Sequence, residues 1–425
     1  MWTSFGSRHL GPLLAVVVAV DAACCGGAVG SVAPSSCSAK GTSRDHALLQ
    51  LGQGRLSLCD QKHRKQGALA APLQRRGAGA AAAPQHGPSK ACAAFGRGIG
   101  KASDCSEVLK GPPRGLTASD PHEGMVTWAC EVPGVGLALC DEERSMLRVW
   151  SDRNGAFADV SLAPLSGPVG AVHLDNRVYV ACFGSGGVAG LAVVDPLAGV
   201  LEATYAYPDA AQFLHNVYAF NWGGRREIFV AALGNPWSSP PSVGDGLVRF
   251  DRNSKAFLTD TTSVSLHARS AVQQSDEVLY VLTQEPPGQP SQLVRLERQG
   301  DALAPRAVAA LPARDGGHGG ADVLLGRDRD TVFCTDRTGG AGKLYFYSYS
   351  AAGFQLEYER ETGRHPRYTT ILPNGDIVVC NKHDSTLTVF QGLAASPTSL
   401  SVSQTTIPTV PGVSFFIESH LVPSS

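Results

Sequence analysis

The chain has 425 residues, of which 17% are charged, and its formal net charge at pH 7 is −1. It contains 48 glycines and 27 prolines, and this density of helix-breaking residues excludes a long-helix bundle or a coiled coil. The near-neutral charge argues against general nucleic-acid binding, because such binding requires a basic surface that displaces counterions.

The first 35 residues have the pattern of a secretory signal peptide. Arg8 and His9 precede an apolar run over residues 10–20, and small residues follow this run. The run is shorter than the roughly 20 apolar residues of a transmembrane helix, and no other stretch of the chain is long enough. We therefore predict a soluble protein without a membrane partner.

Residues 36–90 form a second atypical segment, rich in Ala, Gly and Ser. The segment is basic, with Asp45 and Asp60 as its only acidic residues. This composition is typical of a disordered leader and equally of a transit peptide. A signal peptide followed by such a segment resembles the bipartite leaders of algal plastid proteins. The sequence thus predicts entry into the secretory pathway, with a plastid as one onward destination and a cytoplasmic location as the alternative.

The 11 cysteines are an odd number and show no CxxC spacing, which argues against a disulfide framework and a zinc ribbon. Cys140, Cys334 and Cys380 each lie in a short apolar, strand-like run. We expect these three to be buried free thiols.

From residue 121 onward the chain repeats itself, because two short apolar elements recur in a fixed order. The first element occurs at residues 137–140, 178–181, 228–231, 279–282, 332–335 and 377–380, and the second at 147–150, 191–194, 247–250, 293–296, 344–347 and 387–390. Each element is rich in β-branched and aromatic residues and is bounded by Gly, Asp, Asn or Pro, as short antiparallel strands are. A period of about 48 residues with several strands per unit indicates a β-propeller.

A further strand opens each unit, and the number of these opening strands gives the number of blades. Opening strands are recognisable near Val126, Val172, Val217, Val272, Val323, Thr370 and Val413. The last of these has no unit behind it, so we expect it to pair with strands around residues 91–109. The prediction is an all-β, seven-bladed β-propeller over residues 91–425, closed by pairing of the N- and C-terminal strands so that no sheet edge stays open.

Four polar residues interrupt the repeat at the ends of the predicted inner strands, namely His215, Arg269, Glu285 and Arg337. Their equivalent positions predict that they converge at one mouth of the propeller. Arginine binds carboxylate or phosphate in a bidentate manner, a carboxylate can activate water, and histidine can donate a proton near neutral pH. The pattern is typical of a site for a small anionic substrate, and the alternative is a set of rim charges that form surface ion pairs.

Several segments resemble the lactonase family of seven-bladed propellers, which includes 6-phosphogluconolactonase and carboxy-cis,cis-muconate cyclase. The clearest is residues 320–338, GADVLLGRDRDTVFCTDRT, which is similar to a family pattern that begins AADIH and ends DRT. Residues 365–375, 381–390, 215–234 and 411–420 are similar to further family segments. The resemblance covers residues 120–425 and is best over the last four repeats.

The resemblance implies hydrolysis of a sugar-acid lactone, of the 6-phosphogluconolactonase kind, without a metal or another cofactor. It implies that Arg269, in the position of a PRH motif, and Arg337, in a DR context, hold the anionic substrate. Glu285, in the position of an NEL motif, would act as the general base. His215 would polarise the carbonyl group or protonate the leaving alkoxide.

The neighbours of two of these residues depart from the family motifs. PRH is replaced by Ala-Arg-Ser at residues 268–270, and NEL by Gln-Glu-Pro at residues 284–286. Two alternatives therefore stay open. One is a carboxymuconate-type cycloisomerase, and the other is a non-catalytic propeller that binds a ligand or a protein.

Two weaker candidates for substrate binding lie near the same predicted mouth. Arg367 precedes an opening strand, where it would add a phosphate contact or form a rim ion pair. His318 lies in a glycine-rich stretch that matches no phosphate-binding P-loop, and no GxSxG elbow of a serine esterase occurs in the chain. The expected partner is a small anionic lactone.

Overall fold

The computed structural model describes residues 91–102, 109, 117–120, 124–151, 156–313, 319–394 and 402–419. The predicted signal segment 1–35, the predicted leader 36–90 and the candidate His318 lie outside these residues. The described residues contain 28 strands and no helix, so the predicted all-β class is confirmed. Within them no helix is long and apolar enough to cross a membrane.

The strands form seven four-stranded sheets, which we name by their order along the chain. The composite sheet combines strands from both chain ends and contains β1 (Ala91–Gly96), β2 (Gly98–Ala102), β3 (Thr117–Asp120) and β28 (Phe415–Ser419). Sheet 1 contains β4 (Val126–Val132), β5 (Gly136–Asp141), β6 (Met146–Ser151) and β7 (Phe157–Ser161). Sheet 2 contains β8 (Pro168–Leu174), β9 (Arg177–Cys182), β10 (Gly190–Asp195) and β11 (Val200–Ala206).

The remaining four sheets follow the same plan. Sheet 3 contains β12 (Phe213–Trp222), β13 (Arg225–Asn235), β14 (Ser242–Asp251) and β15 (Ala256–Leu258). Sheet 4 contains β16 (Ala268–Ser275), β17 (Val278–Thr283), β18 (Gln292–Gln299) and β19 (Ala302–Ala310). Sheet 5 contains β20 (Gly320–Leu325), β21 (Thr331–Asp336), β22 (Lys343–Ser350) and β23 (Gly353–Glu361). Sheet 6 contains β24 (Pro366–Ile371), β25 (Ile377–Asn381), β26 (Thr386–Phe390) and β27 (Gln404–Pro408).

The sheets are arranged as a propeller. Sheets 1–6 each consist of four consecutive antiparallel strands, and the first strand of each contacts the first strand of the next. In the composite sheet β28 takes the position of the first strand, since it contacts both β24 and β4. β28 also pairs with β1 in antiparallel register, with Ala93 opposite Ile417. The predicted pairing of the two chain ends is therefore present, and the first strands form a closed ring.

The core lies between neighbouring sheets and is built mainly from the second and third strands. Both faces of these strands are covered, so β5, β9 and β25 are almost uniformly buried and apolar, whereas the outer strand β23 is largely exposed. Sheets 4 and 5, for example, pack Leu282 and Leu293 against Val332 and Tyr345. Burying each such side chain contributes about 1.5–3 kcal/mol. Because the second and third strands are buried between neighbouring sheets, they appear in the sequence as the two apolar elements of each repeat.

The thiols lie in these cores. Cys140, Cys334 and Cys380 are free and fully buried, as predicted. Burial raises the pKa of each of these thiols well above its ordinary value. A thiol that stays protonated is a poor nucleophile, so these side chains act as small apolar packing groups.

A buried carboxylate joins the first strands of three sheets. Asp322 on β20 accepts hydrogen bonds from Ser270 Oγ (2.6 Å) on β16, from its neighbour Val323 N (3.0 Å) and from Thr369 N (2.9 Å) on β24. Burial raises the pKa of Asp322 to about 6, against the opposing effect of these hydrogen bonds. The carboxylate thus satisfies buried donors that the ladder between strands leaves open.

We expect Asp322→Ala to lower the free energy of unfolding by about 2–4 kcal/mol, because it leaves a buried hydroxyl and a buried amide without their acceptor. Urea unfolding measures the effect. The exposed Asp330, in the connection between β20 and β21, supplies the control, and Asp330→Ala should stay within about 0.5 kcal/mol of the wild type. Equal effects of the two variants would show that the hydrogen bonds of Asp322 do not contribute to the free energy of unfolding.

Candidate functional site

A cavity of about 240 Å³ lies at the end of the ring where the first strands begin and the second strands end. All of sheets 1–6 contribute to its wall. The lining consists of Glu142, Val169, Phe183, His215, Trp237, Arg269, Gln284, Arg337, His365, Arg367, Lys382 and His383. The cavity is therefore shared by the sheets and depends on the ring as a whole.

One backbone irregularity places a side chain from each of several first strands at this cavity. The pairing of the first and second strands shifts register at Val169, His215, Arg269 and Arg367, each the second or third residue of its strand. Such bulges re-aim a side chain and are frequent beside binding sites. The same local device therefore recurs in sheets 2, 3, 4 and 6.

A second recurring device positions the residue that follows the second strand. In five sheets the amide of this residue donates to the carbonyl oxygen just before the first strand. The bonds run from Glu142 to Met125 (3.0 Å), Phe183 to Gly167 (2.7 Å), Gln284 to His267 (2.9 Å), Arg337 to Gly319 (3.0 Å) and Lys382 to His365 (3.0 Å). All five donor residues line the cavity. Equivalent chain positions thus carry a carboxylate, a phenyl ring, an amide and two cations.

Two buried arginines share one amide oxygen. Arg269 donates from Nε to Ala321 O (2.9 Å) and from Nη1 to Gln284 Oε1 (2.5 Å), and Arg337 Nη2 donates to the same Oε1 (2.7 Å). Among the described residues, Arg269 Nη2 has no hydrogen-bond partner although the side chain is only 3% exposed. The shared amide oxygen is neutral, so it accepts hydrogen bonds from both guanidinium groups without adding a negative charge.

Sheet 6 adds further cations to the same wall. Arg367 Nη2 lies 3.5 Å from Glu142 Oε2, and Glu142 is the one carboxylate among the described residues that line the cavity. Burial, with Arg367 as the next cause, lowers the pKa of Lys382 to about 8. Burial and the neighbouring Arg337 and Arg367 likewise lower the pKa of Arg269 well below its ordinary value. Among the described lining residues, four cations accompany one carboxylate, so this part of the cavity wall carries an excess of positive charge.

The histidines of the cavity are uncharged at neutral pH. Burial lowers the pKa of His215 well below its ordinary value, and Arg269, Arg367 and Arg337 lower it further. Burial, together with Arg337, also lowers the pKa of His365, whose Nε2 lies 3.4 Å from Arg337 Nη1. A neutral imidazole has one nitrogen that can accept a proton. Within the described part of the chain, His215 Nδ1 is buried and has no hydrogen-bond partner.

Glu285 does not line this cavity. Its carboxylate Oε2 lies 3.9 Å from His267 Nε2, and the residue borders a separate cavity of about 40 Å³ beside Pro286 and Ser291. Gln284 takes the inward position instead, because successive side chains of an extended segment point to opposite sides. The structure therefore brings together His215, Arg269, Arg337 and Arg367 and separates them from Glu285.

The cavity also contains residues that the sequence pattern did not single out, above all Gln284, Lys382, Phe183 and Trp237. A signal for the first three exists in the sequence, since each follows the second strand of its repeat as Arg337 does. Trp237 lies beyond that position, in the turn after β13, and has no counterpart in the repeat. Among the described residues, no group of three or more His, Cys, Asp or Glu side chains is placed to share a metal ion.

Comparisons with known proteins support the fold. No protein-family model and no curated protein sequence matches the chain. A candidate 6-phosphogluconolactonase of Bacteroides fragilis is similar in structure, with a TM-score of 0.58 and 13% identity, over 79% of this chain and 100% of that one. A second candidate 6-phosphogluconolactonase, of Bacteroides uniformis, has a TM-score of 0.58 and 15% identity over 78% and 99% of the two chains.

The periplasmic gluconolactonase of Pseudomonas aeruginosa is also similar, with a TM-score of 0.56 and 14% identity, over 77% of this chain and 98% of the other. At such identities the likeness concerns the fold, because one fold supports many activities. The chain therefore has the propeller fold that these proteins share.

If an anion binds in the cavity, we expect its affinity to depend on pH through the charge of Lys382. Lys382 is protonated below its pKa of about 8 and loses its charge above it, so we expect sulfate to bind roughly 5-fold more weakly at pH 9 than at pH 7. Sulfate keeps a constant charge over this range, and titration calorimetry measures its Kd. In Lys382→Arg the dependence should become weaker, because an arginine at this position loses its proton at a higher pH than a lysine does. An identical pH profile in the variant would rule out Lys382 as its source.

Proposed function

We propose that the protein binds a small anionic lactone in the cavity and hydrolyses its ester bond. The observation that carries the proposal is the arginine pair of sheets 4 and 5. Arg269 and Arg337 are buried side by side, share a neutral acceptor, and are flanked by Arg367 and Lys382. A buried guanidinium is costly to desolvate, and Arg269 Nη2 has no hydrogen-bond partner among the described residues. A bound anion would accept a hydrogen bond from it and add negative charge to this cationic wall.

The same groups suit the chemistry of ester hydrolysis. Guanidinium groups donate hydrogen bonds to a carboxylate or phosphate and stabilise the negative charge that develops on a carbonyl oxygen. His215 accepts the proton as the oxygen of water bonds to the carbonyl carbon. The ring C–O bond then breaks, and the imidazolium returns the proton to the leaving alkoxide.

This assignment gives His215 the role of general base that the family resemblance gives to Glu285. The reason is position, since His215 lines the cavity beside the arginines and Glu285 does not. A bound anion would also offset the positive charges that lower the pKa of His215, which makes the imidazole a better base in the complex. The lactonase names of the structural neighbours favour hydrolysis among the reactions of an anion pocket.

A second candidate function is anion binding without turnover. Gln284 favours it, because a neutral amide stands between the two arginines where a carboxylate could act as a base. In that case the cavity holds its ligand but lacks a group that activates water. Binding and turnover therefore need separate measurements on the same preparation.

Replacing either arginine tests the anion pocket. We expect the wild type to hydrolyse 6-phosphoglucono-δ-lactone faster than uncharged glucono-δ-lactone, after correction for spontaneous opening. Arg269→Met and Arg337→Met should each lower kcat/KM for the phosphorylated lactone about 100-fold, because each removes a charge-assisted contact to the anion and to the transition state. Circular dichroism controls for folding. Hydrolysis at wild-type rates in both folded variants would refute the proposal, and binding without hydrolysis in the wild type would establish the second candidate.

A matched pair of variants tests the identity of the base. His215→Asn should lower kcat about 100-fold or more, since it removes the proton acceptor while preserving a polar side chain. Glu285→Gln should keep kcat/KM within about 3-fold of the wild type, because its carboxylate lies outside the cavity. The reverse result, with activity lost in Glu285→Gln alone, would return the role of base to Glu285.

A further inference from the structure

One part of the cavity wall is aromatic and uncharged, in contrast to the cationic part described above. Phe183 and Trp237 line the cavity, and Phe213 packs behind them. The rings of Phe183 and Phe213 are stacked at 4.4 Å with an interplanar angle of 9°. The ring of Trp237 lies 6.2 Å from Phe183 and 6.1 Å from Phe213. The three side chains form one cluster, which we call the aromatic wall.

A braced turn holds Trp237 in place. The Asn235 side chain accepts hydrogen bonds from Trp237 N and Ser238 N, both at 3.1 Å. Ser238 Oγ donates to Pro240 O at 2.8 Å, and Asn235 N donates to Ser242 Oγ at 2.8 Å. Trp237 nevertheless remains 45% exposed. A large indole ring that is carried on a braced turn and left uncovered is typical of a binding surface.

The two kinds of wall come from different parts of the ring. The aromatic wall belongs to sheets 2 and 3, whereas Arg269, Arg337, Arg367 and Lys382 belong to sheets 4, 5 and 6. His215 lies between them, with its ring edge-on to Phe183 at 6.4 Å and 89°. A ligand that fills the cavity therefore meets positive charge on one side and ring faces on the other.

The aromatic wall offers little to the hydroxyl groups of a sugar. Phe183, Phe213 and the adjacent Val169 carry no hydrogen-bonding side-chain atoms, and Trp237 has only its indole N–H. A polyhydroxylated ring placed there would find few side-chain hydrogen-bond partners on the aromatic wall, so this wall adds little affinity for its hydroxyls. A planar apolar ring would instead stack on the exposed indole and displace water from it.

We propose that the aromatic wall is a ring-binding subsite, so that the ligand of this cavity is an anion that carries a planar apolar ring. The inference rests on the proposed function, because it places the anionic group of the ligand on the arginines. It changes the substrate class from a sugar-acid lactone to an anionic lactone with an aromatic or similarly flat ring. A single ligand would then contact both the apolar surface of Trp237 and the charged group of Arg337.

Two probes of matching charge separate the subsite from the anion pocket. Titration calorimetry at pH 8 compares inorganic phosphate with phenyl phosphate, and glucose 6-phosphate tests a sugar ring in the same position. We expect phenyl phosphate to bind at least 10-fold more tightly than phosphate, and glucose 6-phosphate to bind no more tightly than phosphate. Phenyl phosphate should also quench the fluorescence of Trp237.

Variants of the wall complete the test. Trp237→Ala should weaken phenyl phosphate about 10-fold and phosphate less than 2-fold, and Trp237→Phe should restore at least half of the affinity. Leu197→Ala, at a side chain that is 75% exposed and does not line the cavity, is the control and should change neither Kd. Circular dichroism confirms that each variant is folded.

The outcomes distinguish the subsite from the proposed function. Equal affinity for phosphate and phenyl phosphate, or an equal loss of both in Trp237→Ala, would overturn the ring-binding subsite and leave the anion pocket standing. Tighter binding of glucose 6-phosphate than of phenyl phosphate would overturn the apolar ring and favour a sugar. Failure of every probe to bind would overturn the anion pocket and the subsite together.

Discussion

The antiparallel pairing of β1 with β28 is the contact on which the rest of the molecule depends. It joins segments from opposite ends of the described chain, and backbone bonds from Ser414 to Phe95 (2.7 Å) and from Arg97 to Pro411 (2.8 Å) extend it beyond the strands. The approach is so close that a Cβ on Gly96 would lie 2.6 Å from Pro411 O. Without this pairing β28, which links the first strands of sheets 6 and 1, would have no partner in its own sheet. The loop closed by the pairing spans most of the chain, so its entropic cost is repaid only when the intervening sheets are also formed.

The cavity at the ring centre works against this stability. Arg269 and Arg337 are buried close to one another, and both donate hydrogen bonds to the amide oxygen of Gln284, which carries no charge. Asp322 supplies negative charge in a neighbouring cavity, but its oxygens are occupied by Ser270 and by backbone amides. The cohesion of the sheets must therefore exceed the mutual repulsion of the cations. Sites that perform a function commonly carry such a local cost in stability.

The sequence was informative where a residue type repeats and uninformative where a side chain acts alone. The second and third strands are visible because both of their faces are buried, whereas the exposed outer strand β23 lacks an apolar signal. Arg269, Arg337 and Arg367 were found because strand ends in equivalent repeats meet at one mouth. The family motif favours Glu285 because it matches by residue type, whereas the side-chain alternation of an extended chain decides that Gln284 faces inward. Trp237 could not be predicted, since its place depends on a single turn outside the repeat.

The register shift at the start of the first strands has a consequence for how such a protein diversifies. The same backbone position presents valine in sheet 2, histidine in sheet 3 and arginine in sheets 4 and 6. The irregularity lies in the main chain. Exchanging one of these side chains therefore alters the chemistry of the cavity without changing the backbone of the sheet. Each sheet therefore contributes one interchangeable element to a shared surface, and new ligand preferences are reachable by single, separable substitutions around the ring.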